Sequence, residues 1–555
     1  MILTLWALVA CTGLGLGPGG DGVSTRVEEL WVEPTDLTLT VREGEPQALQ
    51  FTAFARLEGG LETEITLVSW SSSNLSAGDI TDSGLFTSVD TNGGVTEITA
   101  AHLGLTAAST ITVVFARDIV EDDLDEGLPT AWAEAAEPSS GGPSLLYPLD
   151  GVTVPRNLEG LTFLWSEAEG NDVVYRLRLR SGITDISLYT TDYRYTATAE
   201  LWEQIAAANR QGEVEMTVES ARYSGGTVSD RRVSAPTKLS VNRLDADGSV
   251  LYWSTQNLGI MRIPFGETVA EPFYSGDQKG MCVGCHAVVE DIDRMVVTHD
   301  GINGVFSVVN IFDPGNPSVV VNTNDKNRFT FKTVSPDGEY ILGSVFGKLK
   351  LFKLGTGELI KDLTPSGYYL AQPDWSPGGD QIVAVNVTGT QDEFRFTGGE
   401  LVVMSWDETN QTLGTPQVLV PRDGTYNFYY PAWSPDGEWV AYNRTIGGGY
   451  ASTRAEVMLV KSDGTVDLRL DLANGEGELQ NSYPRWGPLP DSDVLWLAFS
   501  SKRDYAPSDF GFPQIWVSAI DTAKAEQGQD PSSAPFWLPG QSTNSDNHLP
   551  YWWGK

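Results

Sequence analysis

The stretch Cys282-Val283-Gly284-Cys285-His286 carries the most distinctive chemistry in the chain. Two thiols separated by two residues match the spacing of the two vinyl groups of a haem, and a histidine directly after the second thiol is placed to ligate the iron. This is the attachment pattern of c-type haem. It nominates one covalent haem c, with Cys282 and Cys285 as thioether residues and His286 as proximal iron ligand. The same spacing also serves a CxxC disulfide or redox pair beside an incidental histidine. Zinc is the poorer reading, because a tetrahedral site needs further ligands and the chain holds only 3 Cys and 4 His. Carboxylates, serines and tyrosines are plentiful, but none falls into a nucleophile, general-base or phosphate-loop signature, so no catalytic residue is assigned.

The residues after His286 return at once to strand patterning, without the helical surround of an ordinary cytochrome c. The motif must therefore be carried by a repeat that fills the C-terminal part of the chain. Its copies are Val334-Ser335-Pro336-Asp337-Gly338, Pro373-Asp374-Trp375-Ser376-Pro377-Gly378-Gly379, Pro431-Ala432-Trp433-Ser434-Pro435-Asp436-Gly437 and a degenerate Pro484-Arg485-Trp486-Gly487-Pro488. Ser-Pro-Asp-Gly makes a tight turn between strands, since Pro fixes φ and Gly accepts positive φ, while flanking apolar residues fill the space between sheets. These copies resemble the blades of TolB-like (PD40) propellers. Units near 250–272 and 285–313, and four more beginning near Phe329, Gln372, Tyr430 and Tyr483, predict six blades over residues 248–555. The terminal Pro550-Tyr551-Trp552-Trp553 is expected to pair with Leu251-Tyr252-Trp253 and close the ring, removing exposed edges.

Residues 27–116 alternate apolar and polar positions in short runs, as in Leu37-Thr38-Leu39-Thr40-Val41, and predict a β-sandwich. The order Val68-Ser69-Trp70-Ser71-Ser72-Ser73-Asn74, Gly84-Leu85-Phe86 and Thr96-Glu97-Ile98-Thr99-Ala100 resembles the bacterial Ig-like group 2 domain. Residues 144–243, with Phe163-Leu164-Trp165 and an alternating run from Val173 to Leu179, resemble a fibronectin type III sandwich. A short helix is expected at 199–209, where Leu201, Ile205 and Ala208 share a face. Between the two lies an acidic stretch, 117–143, read as a linker. The predicted class is all-β: a six-bladed propeller behind two N-terminal β-sandwiches.

Aligning Glu290-Asp291-Ile292-Asp293 with Pro336-Asp337-Gly338-Glu339 places His286 where other blades carry Pro373, Pro431, Pro484 and Pro550. These positions start the innermost strands, which converge on the central channel. By the same alignment His548, two residues before Pro550 on the neighbouring blade, is the candidate distal ligand. His299, in the loop after the second strand of the haem blade, is the runner-up. Met295 aligns with the core positions Ile341, Ile382 and Val440; Met281 is tethered too tightly to Cys282 to reach the far haem face; His102 belongs to the first sandwich.

The apolar segment Met1 to Cys11 is too short to span a bilayer and reads as an export signal, although no Lys or Arg precedes it. Leu8-Val9-Ala10-Cys11 resembles a bacterial lipobox, which implies lipidation of Cys11 and a tether over 12–26. Export suits c-type haem, which is attached outside the cytoplasm. The expected location is the periplasm, outer membrane or cell surface of a bacterium, with the membrane reached through a lipid anchor only. A net charge of −38 and the lack of any basic run disfavour nucleic-acid partners. Two functions follow: electron transfer with a protein redox partner, or a surface protein-binding propeller in which haem is structural. An enzyme acting through an open iron position ranks last.

Overall fold

The computed structural model describes residues 26–168, 173–275, 283–289, 292–323, 327–389, 393–489, 494–504 and 511–554. It divides into two compact units, residues 1–115 and 116–555.

In the first unit, strands Val27–Glu33, Thr52–Leu57 and Glu62–Glu64 form one antiparallel sheet. Strands Ser69–Ser72 and Gly94–His102 pair in another layer with the Leu105–Phe115 stretch, which also takes Leu37–Val41 in parallel. Alternation sends Val32, Val41, Phe51, Phe86, Ile98, Ile111 and Val113 into one core between the layers. This is the first sandwich.

The acidic stretch expected to be a linker is folded, and it carries the helix Leu128–Glu134. Its negative charge conceals an apolar face, with Leu124, Leu128, Ala131, Trp132 and Ala135 at helical spacing and packed together on the second sandwich. Trp132 is fully buried between two guanidinium groups, Arg176 and Arg231, each 5.6 Å from its ring. Its indole N–H donates to Glu219 (3.2 Å), which also receives Arg231 (2.8 Å) and Arg176. Trp132→Ala would leave a cavity beside a buried charge cluster. Its expected cost is about 3–5 kcal/mol, read as a drop in the denaturant midpoint of the chain.

The second sandwich sets Leu145–Tyr147, Thr162–Trp165 and Arg194–Thr196 against a sheet containing Val173–Arg180, Thr184–Thr190 and Glu213–Ser224. The expected helix is present at Ala199–Ala208, capped by Thr198, and it buries Leu201, Trp202, Ile205 and Ala206. This sandwich is fused to the propeller: Tyr147 packs edge-on against Trp516 (6.2 Å) and its hydroxyl accepts from the Trp537 N–H (3.1 Å). Arg156 and Asp245 add a two-pronged ion pair at 2.8 and 2.7 Å across the junction.

The C-terminal part is a six-bladed propeller. The innermost strands of blades 1 to 6 are Asn547–Trp553, Val283–Val289, Lys332–Val334, Leu370–Trp375, Tyr426–Trp433 and Ser482–Trp486. The ring closes as the sequence predicts: Tyr551 pairs with Leu251 and Trp552 with Val250. Each Ser-Pro-Asp-Gly turn is held by its own side chains. The Ser434 hydroxyl accepts from the Trp439 N–H (2.9 Å), Asp436 accepts from the Glu438 N–H (3.0 Å), and Gly437 sits at φ +73°.

Most innermost strands carry a bulge at the channel: pairing shifts between Val283 and His286, Ala371 and Asp374, Tyr429 and Ala432, and Ser482 and Arg485. The residue before each channel proline is left-handed: Gln372 (φ 49°), Tyr430 (50°), Tyr483 (60°) and Leu549 (52°). Such backbone costs roughly 1–2 kcal/mol per non-glycine residue. It is offset by bonds across blades, including Tyr430 N–H to the Gln372 side chain (2.7 Å) and Tyr483 N–H to Asn443 (3.0 Å). The bulges turn consecutive side chains toward the axis, and so build the site.

Candidate functional site in the propeller channel

The wall of the narrow part of the channel includes the equivalent strand position of every blade, Pro550, His286, Lys332, Pro373, Pro431 and Pro484, with Cys285, Arg485 and several tyrosines beside them. His286 stands where the repeat alignment puts it, on the strand after the buried Cys285. Four of the six positions are prolines, which offer no side-chain donor. The two that can do chemistry, His286 and Lys332, lie on adjacent blades.

His286 is 4% exposed and neither ring nitrogen makes a hydrogen bond. The carbonyls of Leu251 and Gly284 lie close by without reaching hydrogen-bond geometry, and the Tyr551 ring packs at 5.3 Å. Burial, reinforced by the Lys332 charge, pushes the imidazole down to about 3, so it is neutral and available as an electron-pair donor. The Cys285 thiol is pushed above its ordinary value by burial, against the pull of Lys332. Cys282, Met281 and Cys11 lie outside the described residues.

Lys332 is almost fully buried; its ammonium donates to the Cys285 carbonyl and to Thr298 Oγ1 (2.8 Å). Burial lowers it to about 7. Sequence reasoning missed this residue although the signal was present. Lys332 is four residues before Pro336, the same offset that separates Pro373 from Pro377, Pro431 from Pro435 and Pro484 from Pro488.

Above the narrow part, sharing Cys285, Tyr483 and Leu549 with it, opens a cavity of about 500 Å³. That falls within the range of small-molecule and cofactor sites, ~300–1,000 Å³. His548 is on its wall, between Trp253 (ring distance 6.0 Å) and Tyr483 (5.7 Å). Its Nδ1 is buried without a partner, and burial, with help from Lys502, pushes the ring down to about 4.

The structure does not bring the other histidines here. His299 ends the strand Arg294–His299, is 2% exposed, and its Nε2 is bonded to Ser307 Oγ at 2.8 Å. The loop that follows it, Asp300 to Ile302, is what reaches the cavity wall. His102 Nδ1 is 2.6 Å from the Leu67 carbonyl in the first unit. Met295 is fully buried in the core between blades 1 and 2. Among the described residues, no three His, Cys, Asp or Glu side chains converge to hold a metal ion.

Cys285 and His548, the latter with an unused Nδ1, lie on the wall of the haem-sized cavity, whereas His286, with both nitrogens unused, lies on the narrow channel that shares Cys285 with it.

The two histidines also predict a pH dependence. Both are held neutral in the folded chain and take up protons on unfolding, so stability is full above the ordinary value of 6.5 and falls with pH below it. In the chain before haem attachment the combined slope approaches ~2.7 kcal/mol per pH unit, about 1.36 for each histidine. Denaturant titrations between pH 7 and 4 will show a shallower slope in His286→Phe than in wild type.

No family model matches the chain, and no curated protein does. Solved structures do. A chain of a nidogen/laminin complex aligns at 10% identity and TM-score 0.37, over 55% of this chain and 97% of its own. A putative TolB from Agrobacterium tumefaciens aligns at 16% identity and TM-score 0.30, also over 55% and 97%. The β-propeller domain of Cps50 (Swd1) from Myceliophteria thermophila aligns at 12% identity and TM-score 0.31, over 52% of this chain and 90% of its own.

Proposed function

We propose that the chain is an exported, lipid-anchored c-type monohaem protein that transfers electrons from a haem seated at the mouth of its propeller channel. The observation that carries this reading is His286. It is a buried imidazole with both nitrogens unused, adjacent to Cys285, in a ring whose other positions are four prolines and a lysine.

Cys282 and Cys285 would hold the porphyrin, and His286 and His548 would be its iron ligands. Bound haem supplies a one-electron iron couple. The protein keeps both imidazoles deprotonated by burial, fixes their orientation through Tyr551, Trp253 and Tyr483, and excludes bulk water from the narrow channel beneath. A redox-active CxxC pair calls for a lowered thiol, whereas burial moves Cys285 the other way. The two sandwiches, which resemble Ig-like and fibronectin-like modules, would lie along the chain between the propeller and a membrane anchor at Cys11. The donor and acceptor would be other proteins rather than nucleic acid.

A potentiometric titration followed optically tests the function. A reversible transition fitting one electron is expected. A haem that cannot be reduced and reoxidised without loss would leave it a structural brace and favour a protein-binding role.

A further inference from the structure

Among the described residues, the channel beneath the cavity is lined by two buried basic side chains and by no carboxylate. Lys332 and Arg485 both line it, on blades 3 and 6. Arg485 donates to the carbonyls of Pro431 (3.2 Å) and Pro484 (3.5 Å) and lies over the Tyr551 ring at 4.9 Å. The carboxylate acting on Arg485 is Asp374, which accepts from the Trp433 N–H at 2.8 Å and does not line the channel. No carboxylate figures among the groups acting on Lys332, and two of its donors are spent on neutral acceptors. Buried cations are ordinarily paired. The third group facing this space is His286, whose ring keeps an N–H donor with no acceptor in either tautomer.

We infer that a single small anion, of the size of chloride or a carboxylate head, binds on the channel axis between Lys332, Arg485 and the N–H of His286. The free volume there is about 20 Å³, which suits an occupant of one or a few atoms. It also adjoins the larger cavity through Cys285 and Tyr483. The anion therefore has two sources: a free ion from solvent, or a propionate of a haem attached above. The site itself does not depend on the haem reading. An anion accepting from His286 would strengthen the imidazole as an iron donor if haem is present.

The test is a halide titration of thermal stability at constant ionic strength, with bromide replacing gluconate, which is too large for the space. Wild type and Lys332→Met are compared, each as haem-free and as haem-loaded full-length chain. A ligand that binds only the folded state raises Tm in a saturable way. The haem-free wild type is expected to show this rise and Lys332→Met to lose it. Retention of the rise after haem loading identifies a free anion, and its loss on loading identifies a propionate. Anomalous diffraction from wild-type crystals in bromide should place a peak beside Lys332 Nζ, which settles the matter if Lys332→Met fails to fold. The inference is overturned if no saturable rise and no axial bromide peak occur, or if the rise persists unchanged in Lys332→Met. Failure of haem to attach would sink the proposed function while leaving the haem-free arm intact.

Discussion

Cys282→Ala/Cys285→Ala, matured alongside wild type, is expected to carry no haem after denaturation, while wild type carries one per chain. Covalent retention depends on the two thioethers alone, because an imidazole–iron bond does not survive unfolding. Each single variant keeps one thioether and should retain haem at a reduced level. Peroxidase staining of denaturing gels reads all four samples. Folding is not the confounding factor: Cys285 packs in a large cluster with Ala371, Val383 and Tyr430, and removing one sulfur there costs at most a few kcal/mol. Equal haem in wild type and double variant would mean that the motif does not attach it.

His548→Ala is expected to convert a low-spin spectrum to a high-spin one, with covalent haem content unchanged. His548 is wedged between Trp253 and Tyr483 on the cavity wall, and its Nδ1 has no partner to give up on binding iron. The runner-up His299 would first have to surrender its bond to Ser307 Oγ (2.8 Å), which is itself tied to Asn322 (2.9 Å), and then rotate out of the blade. Absorption spectra of oxidised and reduced protein distinguish the cases. Unchanged low-spin bands in His548→Ala would rule His548 out as the distal ligand.

The propeller was legible because its signals are local and repeated. Ser-Pro-Asp-Gly or the related Ser-Pro-Gly-Gly fixes the turn in three blades, and a strand-length apolar run follows it. Ring closure could be read from Pro550-Tyr551-Trp552-Trp553, which repeats the Pro-x-Trp start of a blade. The position of His286 followed from the same register. Two features were not read. Lys332 occupies the channel position without proline, so a search guided by proline passes over it even though its spacing from Pro336 is regular. The acidic stretch 117–143 was judged by its charge, yet Trp132 finds Arg176, Arg231 and Glu219 only across the sheet, from residues far away in sequence. His299 shows how fine the margin is. The loop after the strand does line the cavity, but His299 is the strand's last residue rather than a loop residue, and its side chain bonds within the blade.

The most direct measurement is the mass and optical spectrum of the full chain, matured with the c-type attachment machinery and extracted with acidified organic solvent. One haem per chain that resists extraction, low-spin in both oxidation states, is the predicted result. A chain that emerges at its unmodified mass, with its haem in the solvent or never acquired, would contradict the account.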